Sequence, residues 1–146
     1  MANFSKLLLA IDLSPTSELL LERVRTLCIN ELDRLHIVHV LSQGLYDKEL
    51  QESTSRSDPR ARRLMDHAWL EVRKMLQSAG FEIPDDRIFL VYGEPAFEIK
   101  RLAEEITADL VIVGSHAKED DWMQLPGATT NCVMQGGKAD VMALKV

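Results

Sequence analysis

The sequence predicts an α/β fold, in which one doubly wound domain carries a five-stranded parallel sheet, Rossmann-like, with helices on both faces. Short apolar segments alternate with segments of helical periodicity along the whole chain. The apolar segments are nearly continuous, which is typical of strands that are buried on both faces. No shift in composition divides the 146 residues, so we expect a single domain over residues 1–146.

The first two strands are predicted from apolar runs. Residues 7–11 read LLLAI, and Ser14-Pro15 then supplies residues that favour a helix start. Residues 35–41 are rich in apolar and β-branched side chains and form the second predicted strand. The apolar stripe of the helix between them is expected at Leu20, Val24, Leu27 and Cys28.

A long polar segment separates the second strand from the next helix. Residues from Ser42 to Asp58 show no clear period, so we expect a mobile loop, and we considered that it acts as a flap over a ligand. Asp58 is the predicted N-cap of the helix that follows, and Gly80 is its predicted left-handed end. Its apolar stripe comprises Ala61, Met65, Ala68, Val72, Met75, Leu76 and Ala79.

The second half of the chain repeats the alternation of strand and helix. Because parallel strands need a crossover between them, this alternation predicts further right-handed βαβ units. The predicted elements are a strand at 87–92, a turn at Gly93-Glu94-Pro95, a helix at 96–107, a strand at 109–113, a short helix near 129–135 and a last strand at 141–146.

Charge and composition exclude several classes of function. The net charge is -6, so a nucleic-acid backbone would be repelled. No apolar stretch approaches the roughly 20 residues needed to span a bilayer, and no signal peptide is evident, so we expect a cytoplasmic protein with reduced cysteines. The two cysteines, Cys28 and Cys132, form no CxxC motif, and no metal site is predicted.

Two polar positions follow neighbouring strands of the expected sheet. Asp12 comes after the first strand and Gly114 after the fourth. In the strand order 3-2-1-4-5 these strands are adjacent and the order reverses between them, which is where open α/β sheets bind ligands. Asp12 can accept hydrogen bonds from a ribose, and Gly114 allows close approach of the backbone. We therefore predict a ligand cleft at this switch point.

The loop after Gly114 contains residues that suit a phosphate. Gly127, Thr129 and Thr130 stand where a helix is predicted to begin, so amides and hydroxyls would face an anion. The same residue types are common in helix caps and turns, so an ordinary strand-to-helix connection is an equal alternative.

Several common nucleotide-binding and catalytic motifs do not occur in the chain, and no Ser-His-Asp arrangement is evident. There is no Gly-Lys-Ser/Thr of a Walker A loop, no HExxH, and no glycine after the first strand that would begin a GxGxxG motif. No general base is predicted beyond Asp12. We therefore predict a binding protein without catalytic residues and rank slow ATP hydrolysis last among its functions.

Four segments carry a family resemblance. They are LLLAIDLSPTSELLLE from residue 7, LHIVHV from residue 35, GEPAFEI from residue 93 and ADLVIVGSHAK from residue 108. In this order, over nearly the whole chain, they resemble the universal stress proteins. The resemblance implies a stress-response module of α/β fold, and the ATP-binding branch of the family implies ATP or ADP, with Mg²⁺, as ligand.

The ATP-binding branch has the loop pattern Gly-x2-Gly-x9-Gly-Ser/Thr, which this chain keeps in spacing but not in every residue. Gly114 and Gly127 match, whereas Ala117 and Ala128 replace a glycine and a hydroxyl residue. An added methyl group costs about 1 kcal/mol where φ is positive. A lost hydrogen bond to a charged group costs about 1.5–3 kcal/mol. The pattern therefore predicts a site about 10- to 1000-fold weaker than a complete one.

Other residues are similar to the universal stress protein A-like branch, which lacks the glycine pattern and is not expected to hold ATP. They include DLSPTS from residue 12, Trp122 and Asp140. The chain thus resembles an intermediate between the two branches. A non-nucleotide dimeric protein that acts through an unknown protein partner is the alternative function. For either branch, the resemblance implies a homodimer through the edge strand 141–146.

The strand ends and the resemblance together give the predicted binding residues. These are Asp12, Val40, Val113, Gly114, His116, Ala117, Gly127, Ala128, Thr129 and Thr130.

Three further groups of charged or titratable residues have mainly structural interpretations. His36 and His39 are three apart on a strand, so they are expected on opposite faces as structural residues. The cluster Arg56, Arg60, Arg62 and Arg63 is interpreted as a solvated face. The acids Glu119, Asp120 and Asp121 lie in the proposed phosphate loop, where they would hold a cation or oppose an anion.

Overall fold

A computed structural model describes residues 4–42, 59–115 and 138–146 of the chain. Strands and helices alternate through these residues as expected from the sequence. They are β1 (Leu7–Ile11), α1 (Pro15–Leu27), β2 (Leu35–Ser42), α2 (Pro59–Ser78), β3 (Ile88–Gly93), α3 (Pro95–Glu105), β4 (Leu110–Ser115) and β5 (Asp140–Lys145). Two short 3₁₀ turns, Leu32–Arg34 and Asp85–Arg87, precede β2 and β3.

The five strands form one parallel sheet in the order β3-β2-β1-β4-β5, which confirms the predicted topology. In the centre of the sheet, Leu9 lies opposite Ile37 on one side and Ile112 on the other. Further along β1, Ile11 lies opposite His39 of β2. The carboxyl ends of β1, β2 and β4 consequently meet at one edge, and the order reverses between β1 and β4.

Helices cover both faces of the sheet, and each face has its own core. Alternate residues of β1 point to opposite sides, so Leu9 joins the core under α1 and α2 while Leu8 joins the core under α3. Leu21 of α1 and Val72 of α2 are fully buried in the first core, and Ile99 of α3 is buried in the second. Burial on both faces explains why the strands read as continuous apolar runs.

Several element boundaries differ from the predicted ones. β3 begins at Ile88 because Arg87 lies in a 3₁₀ turn, where its amide donates to the Pro84 carbonyl oxygen at 3.0 Å. α3 runs from Pro95 to Glu105 rather than to Thr107, because Thr107 is left-handed with a φ of 59°. β4 continues through Ser115 because Gly114 and Ser115 pair with β5. Gly114 therefore lies within the strand rather than in the loop after it.

The predicted apolar stripes of α1 and α2 are partly correct. Leu27 was expected in the core but is 56% exposed, because it lies on the flank of α1 rather than on the face that buries Leu20 and Val24. In α2 the buried positions include Ala68, Val72 and Leu76. Gly80 ends this segment with the predicted left-handed φ, 81°.

The cysteine and histidine predictions concern buried groups near the sheet. Cys28 is a free, buried thiol, and burial raises its pKa. His36 stacks on Phe89, which packs on the α3 side, whereas His39 follows Ile37 on the α1 side. The two histidines therefore point to opposite faces, as predicted.

Some sequence predictions lie outside the described residues. The loop was predicted from Ser42, but Ser42 is the last residue of β2 and pairs with Gly93. The predictions outside the described residues are the rest of that loop to Asp58, the Asp58 cap, the helix near 129–135, Cys132, Arg56 and the acids at 119–121. Within the described ranges, none of the helices has the length and apolar character that a membrane crossing requires.

Candidate functional site

A cavity of about 200 Å³ opens at the switch point of the sheet. It lies at the carboxyl ends of β1, β2 and β4, beside the first turns of α1 and α3. Asp12, Val40, Val113 and Gly114, which are the four predicted site residues within the described ranges, all line it. Topology predicted from the sequence that Asp12 and Gly114 share one cleft, and the structure confirms that they do. Their role in ligand binding stays a prediction.

One wall of the cavity is apolar. Ala10, Val38 and Val113 come from three adjacent strands, on the sheet face that α3 covers, and Ile99 of α3 completes the wall with Val40. Val38 is fully buried, whereas Val40 at the strand end is only partly buried. An apolar lining with few polar groups is typical of small-molecule pockets in general.

The polar wall of the cavity, formed by Asp12, Thr16 and Ser17, centres on Asp12. Its Oδ1 atom accepts hydrogen bonds from the Ser14 amide at 2.9 Å, from the Ser17 hydroxyl at 2.8 Å and from the Ser14 hydroxyl. The Ser17 oxygen in turn accepts from the Asp12 amide at 2.9 Å. Because Ser17 is 4% exposed, water competes little for this pair. The carboxylate of Asp12 therefore has a fixed orientation at the cavity wall.

The same contacts also fit the alternative interpretation, in which Asp12 is a turn-forming residue. A carboxylate that accepts from the amide two residues later forms an Asx turn. Ser14, the N-cap residue of α1, makes no capping hydrogen bond with its own side chain. Asp12 thus organises the β1–α1 turn and lines the cavity with the same side chain.

The N-terminus of α3 borders the apolar wall through Pro95. The Glu94 carboxylate caps this helix, accepting from the Phe97 amide at 2.7 Å and the Ala96 amide at 3.3 Å. Gly93 precedes it with a φ of 148°, and a Cβ there would lie 2.7 Å from Cγ of Glu98. The glycine therefore permits both the turn and the close approach of α3.

A buried histidine of β2 holds the end of β1, next to the polar wall. Nδ1 of His39 lies 3.0 Å from the Ile11 carbonyl oxygen, and because a carbonyl only accepts, this ring nitrogen donates. Burial lowers the pKa of His39, although the hydrogen bond to Ile11 and the charge of Asp12 oppose the shift. The neutral ring thus holds the end of β1 next to Asp12.

Sequence reasoning missed Ser17, which lines the cavity, and also Glu94 and His39, which adjoin residues that line it. Glu94 directly precedes Pro95, a residue that favours the first position of a helix, but it was interpreted only as part of a turn. Ser17 has no distinguishing local signal, because its partner is the strand end five residues earlier. The remaining predicted site residues, His116, Ala117, Gly127, Ala128, Thr129 and Thr130, lie outside the described residues.

Residues 4–42, 59–115 and 138–146 contain no group of three or more His, Cys, Asp or Glu side chains placed to hold a metal ion.

The fold and the cavity define a class: open, doubly wound α/β proteins with a cavity at the topological switch point. Residues 3–145 match the family model of the universal stress protein family, and the chain belongs to this family.

Two curated relatives match almost end to end. The universal stress protein A homolog 2 of Coxiella burnetii is 27% identical, covering 100% of this chain and 98% of the relative. A universal stress protein of Methanocaldococcus jannaschii is 26% identical, covering 97% of this chain and 95% of the relative.

Solved structures share the fold. The structure of the same M. jannaschii protein superposes with a TM-score of 0.71 at 24% identity, covering 97% and 96% of the two chains. A universal stress protein in complex with cAMP gives a TM-score of 0.60 at 17% identity, covering 99% and 98%. A protein from Archaeoglobus fulgidus in complex with dAMP gives 0.52 at 17% identity, covering 94% and 95%.

Proposed function

We propose that this protein is a cytoplasmic stress-response binding module that holds ATP or ADP, with Mg²⁺, at a weakened site between β1 and β4. The observation that carries the proposal is the convergence of Asp12, Val40, Val113 and Gly114 on one cavity at the switch point. The cAMP and dAMP complexes of two proteins with this fold support an adenine nucleotide as the ligand class.

The two walls of the cavity suit different parts of a nucleoside. The apolar wall, which includes Val38, Val40 and Ile99, can cover the faces of an adenine ring. The oriented carboxylate of Asp12 can accept from ribose hydroxyls. With a volume of about 200 Å³, the cavity is smaller than the usual pocket for a complete small ligand. The phosphates are therefore expected to extend toward the segment that follows β4.

Calorimetric titration of ATP and ADP into the purified protein tests this proposal, with and without Mg²⁺. We expect weak binding by the wild type and about 10- to 100-fold tighter binding by the double variant Ala117→Gly/Ala128→Ser, because it restores backbone freedom and a hydroxyl donor. If neither protein releases heat or is protected against thermal unfolding, the nucleotide proposal is wrong. The non-nucleotide alternative would then stand.

We further propose that the protein is a homodimer through the edge strand 141–146. The Asp140 amide donates to the Asp109 carbonyl and the Val146 amide donates to the Ser115 carbonyl. The backbone N–H and C=O groups of the even-numbered residues from 140 to 146 therefore point toward β4. The backbone groups of Val141 and Ala143 consequently point away from β4, where an antiparallel second copy can pair with them.

Apolar side chains beside this edge support the same interface. The Arg23 guanidinium donates to the Lys145 carbonyl oxygen at 2.8 Å, so this flank of α1 adjoins β5. Leu19 and Leu27 lie on the same flank and are 53% and 56% exposed. Their burial in a dimer would add apolar contact to the backbone pairing.

Sedimentation equilibrium tests the dimer. Val141→Pro removes an outward N–H without touching the β4–β5 ladder, so we expect a folded monomer from a dimeric wild type. Leu19→Lys should also weaken association, whereas the matched change Leu70→Lys, at a position on α2 that is 65% exposed, should not. A wild-type mass of one chain at all concentrations would contradict this interface.

A further inference from the structure

A buried histidine joins two of the strands that end at the cavity. His39 is 8% exposed and lies in β2 between Ile11 of β1 and Leu90 of β3. Its Nδ1 atom donates to the Ile11 carbonyl oxygen at 3.0 Å, and Ile11 itself lines the cavity. The ring therefore adds a side-chain hydrogen bond between β1 and β2 at the last residue of β1, directly before Asp12.

The carbonyl that His39 bonds and the Asp12 amide belong to the same planar peptide group. On its other side, this group donates through the Asp12 amide to the Ser17 hydroxyl at 2.9 Å. The Ser14 amide donates to Oδ1 of Asp12 at 2.9 Å, and the Ser17 amide donates to the Ser14 carbonyl at 3.1 Å. One peptide group thus connects the histidine to the hydrogen bonds of the β1–α1 turn.

The surroundings of the ring do little to stabilise a positive charge. The neighbouring strands place the apolar residues Ile11 and Leu90 beside it. Among the described residues, the charge that acts on the ring is that of Asp12, which is exposed and therefore screened by water. The described charged side chains in the first two turns of α1 and α2, the helices on this face, are exposed: Glu18, Glu22, Arg62, Arg63 and Asp66.

Protonation of His39 is therefore coupled to its exposure. Burial lowers its pKa from the ordinary value of 6.5, and the Ile11 hydrogen bond and the Asp12 charge oppose this shift only in part. A lowered pKa means that the buried ring binds a proton less readily than a hydrated ring. As pH falls through 6.5 toward the lowered pKa, protonation favours states in which the ring reaches water. Because His39 lies near strand ends beside a cavity, a local opening exposes it at a lower cost than global unfolding.

We propose that His39 is a pH-sensitive switch for the β1–α1 turn. The neutral ring holds the peptide group between Ile11 and Asp12, which Ser17 holds from the other side. In acid, the protonated ring leaves its buried position, the turn loosens, and the Asp12 carboxylate loses its fixed orientation at the cavity. The switch adds control by pH to the cleft and does not depend on which ligand the cavity takes.

NMR spectroscopy of the full chain tests both ends of this coupling in one sample. The ring signals of His39 give its pKa, and hydrogen exchange gives the protection factors of the Asp12, Ser14 and Ser17 amides, corrected for the intrinsic effect of pH. The range from about pH 7.5 to about pH 5 covers the ordinary titration of a histidine.

Three variants isolate the role of His39. His39→Gln keeps an N–H that can donate to the Ile11 carbonyl but does not titrate in this range. His36→Gln is the matched control on the same strand: burial lowers the pKa of His36 as well, but its ring lies near the Arg34 carbonyl at the amino edge. His67→Gln removes an exposed histidine of α2. Circular dichroism confirms that each variant is folded.

We expect the protection of the three amides to fall by about 3- to 10-fold as the His39 ring titrates. The fall should be the same in wild type, His36→Gln and His67→Gln, and it should be absent in His39→Gln.

Three results would overturn this inference: a fall that persists in His39→Gln, a His39 ring that titrates while the amides keep their protection, or a ring that stays neutral until the whole protein unfolds. The last two are measured on the wild type alone, so they decide the question even if His39→Gln does not fold. Failure of ATP and ADP to bind would contradict the proposed function and would leave this inference unchanged.

Discussion

Two aspartates at opposite edges of the sheet make similar hydrogen bonds in different surroundings. At the amino edge, Asp109 accepts from the Ser5 amide at 2.7 Å and from the Lys6 amide at 2.9 Å. At the carboxyl edge, Asp12 accepts from one amide and two hydroxyls beside a cavity. Backbone contacts surround Asp109, since its amide and the Lys6 ammonium donate to nearby carbonyls.

The two carboxylates have different structural roles. Asp109 connects distant segments of the chain, whereas Asp12 lines a cavity. Asp109 joins segments more than 100 residues apart, so its contacts close the fold. The Ser14 and Ser17 groups that bond Asp12 lie within five residues of it, so these contacts orient its side chain rather than join distant segments. We therefore expect substitution of Asp109 to change mainly stability and substitution of Asp12 to change mainly ligand affinity.

Asp12→Ala gives the largest expected effect on function. Loss of the proposed ribose acceptor should weaken adenine-nucleotide binding by about 10- to 100-fold, as expected for one hydrogen bond to a charged group. Calorimetry measures the affinity, and Asp86→Ala, an exposed aspartate in the 3₁₀ turn before β3, is the control. Equal affinity of Asp12→Ala and wild type would remove Asp12 from the binding site.

Asp109→Ala should lower the free energy of unfolding by about 1–2 kcal/mol, because two long-range backbone donors lose a charged acceptor that is partly exposed to solvent. Urea denaturation measures the loss. The affinity of the folded protein for nucleotide should stay within about twofold of wild type. If Asp109→Ala lowered nucleotide affinity more than it lowered stability, Asp109 would have the binding role that we assign to Asp12.

Ser17→Ala should weaken nucleotide binding by about 3- to 10-fold, because the buried hydroxyl that holds the Asp12 carboxylate and amide is lost. In the Asp12→Ala background the same change should have little further effect on affinity, which a double-mutant cycle measures. Thr26→Ala removes a helix hydroxyl that donates to the Glu22 carbonyl oxygen away from the cleft, and it should not change the affinity. Additive effects in the cycle would mean that Ser17 acts independently of Asp12.

The smallest expected effect is a difference in acid stability. Burial opposes ionisation of Asp109, but the amides of Ser5 and Lys6 outweigh it and lower its pKa below the ordinary value of 3.8. A lowered folded-state pKa stabilises the protein above that value, and the stabilisation is lost as pH falls through the folded-state pKa. Below about pH 4, wild type should therefore lose stability more steeply than Asp109→Asn. Parallel pH profiles would contradict this role.

The sequence predicted the fold and four of the residues that line the cleft. The physical reasons are properties of single segments and of the order in which they are connected. Strands buried on both faces must be apolar throughout, so β1 and β4 were recognisable as continuous runs. Topology rules then placed Asp12 and Gly114 at neighbouring strand ends without any motif. The loop pattern from Gly114 to Thr130 added a prediction of nucleotide binding. Of the residues in that pattern, only the first, Gly114, lies within the described part of the chain.

Other features depended on contacts that sequence spacing does not encode. Leu27 fits the apolar period of α1 but lies on its flank, because the direction from which the sheet packs decides which arc of a helix is buried. Gly114 resembles a loop residue but continues β4, because β5 offers backbone partners through Ser115.

The amino-acid sequence by itself determined the class of this protein: the alternation of strands and helices, the sheet order and the strand ends that form the cleft. Those properties follow from hydrophobic patterning and chain connectivity, and both can be read directly from the sequence. Only the tertiary structure decided what each polar group does. Glu94 caps α3 at the cavity, Ser17 and His39 support the end of β1, and Asp109 ties the chain start to β4. These roles depend on distances and burial, which exist only after packing has brought the strand ends together.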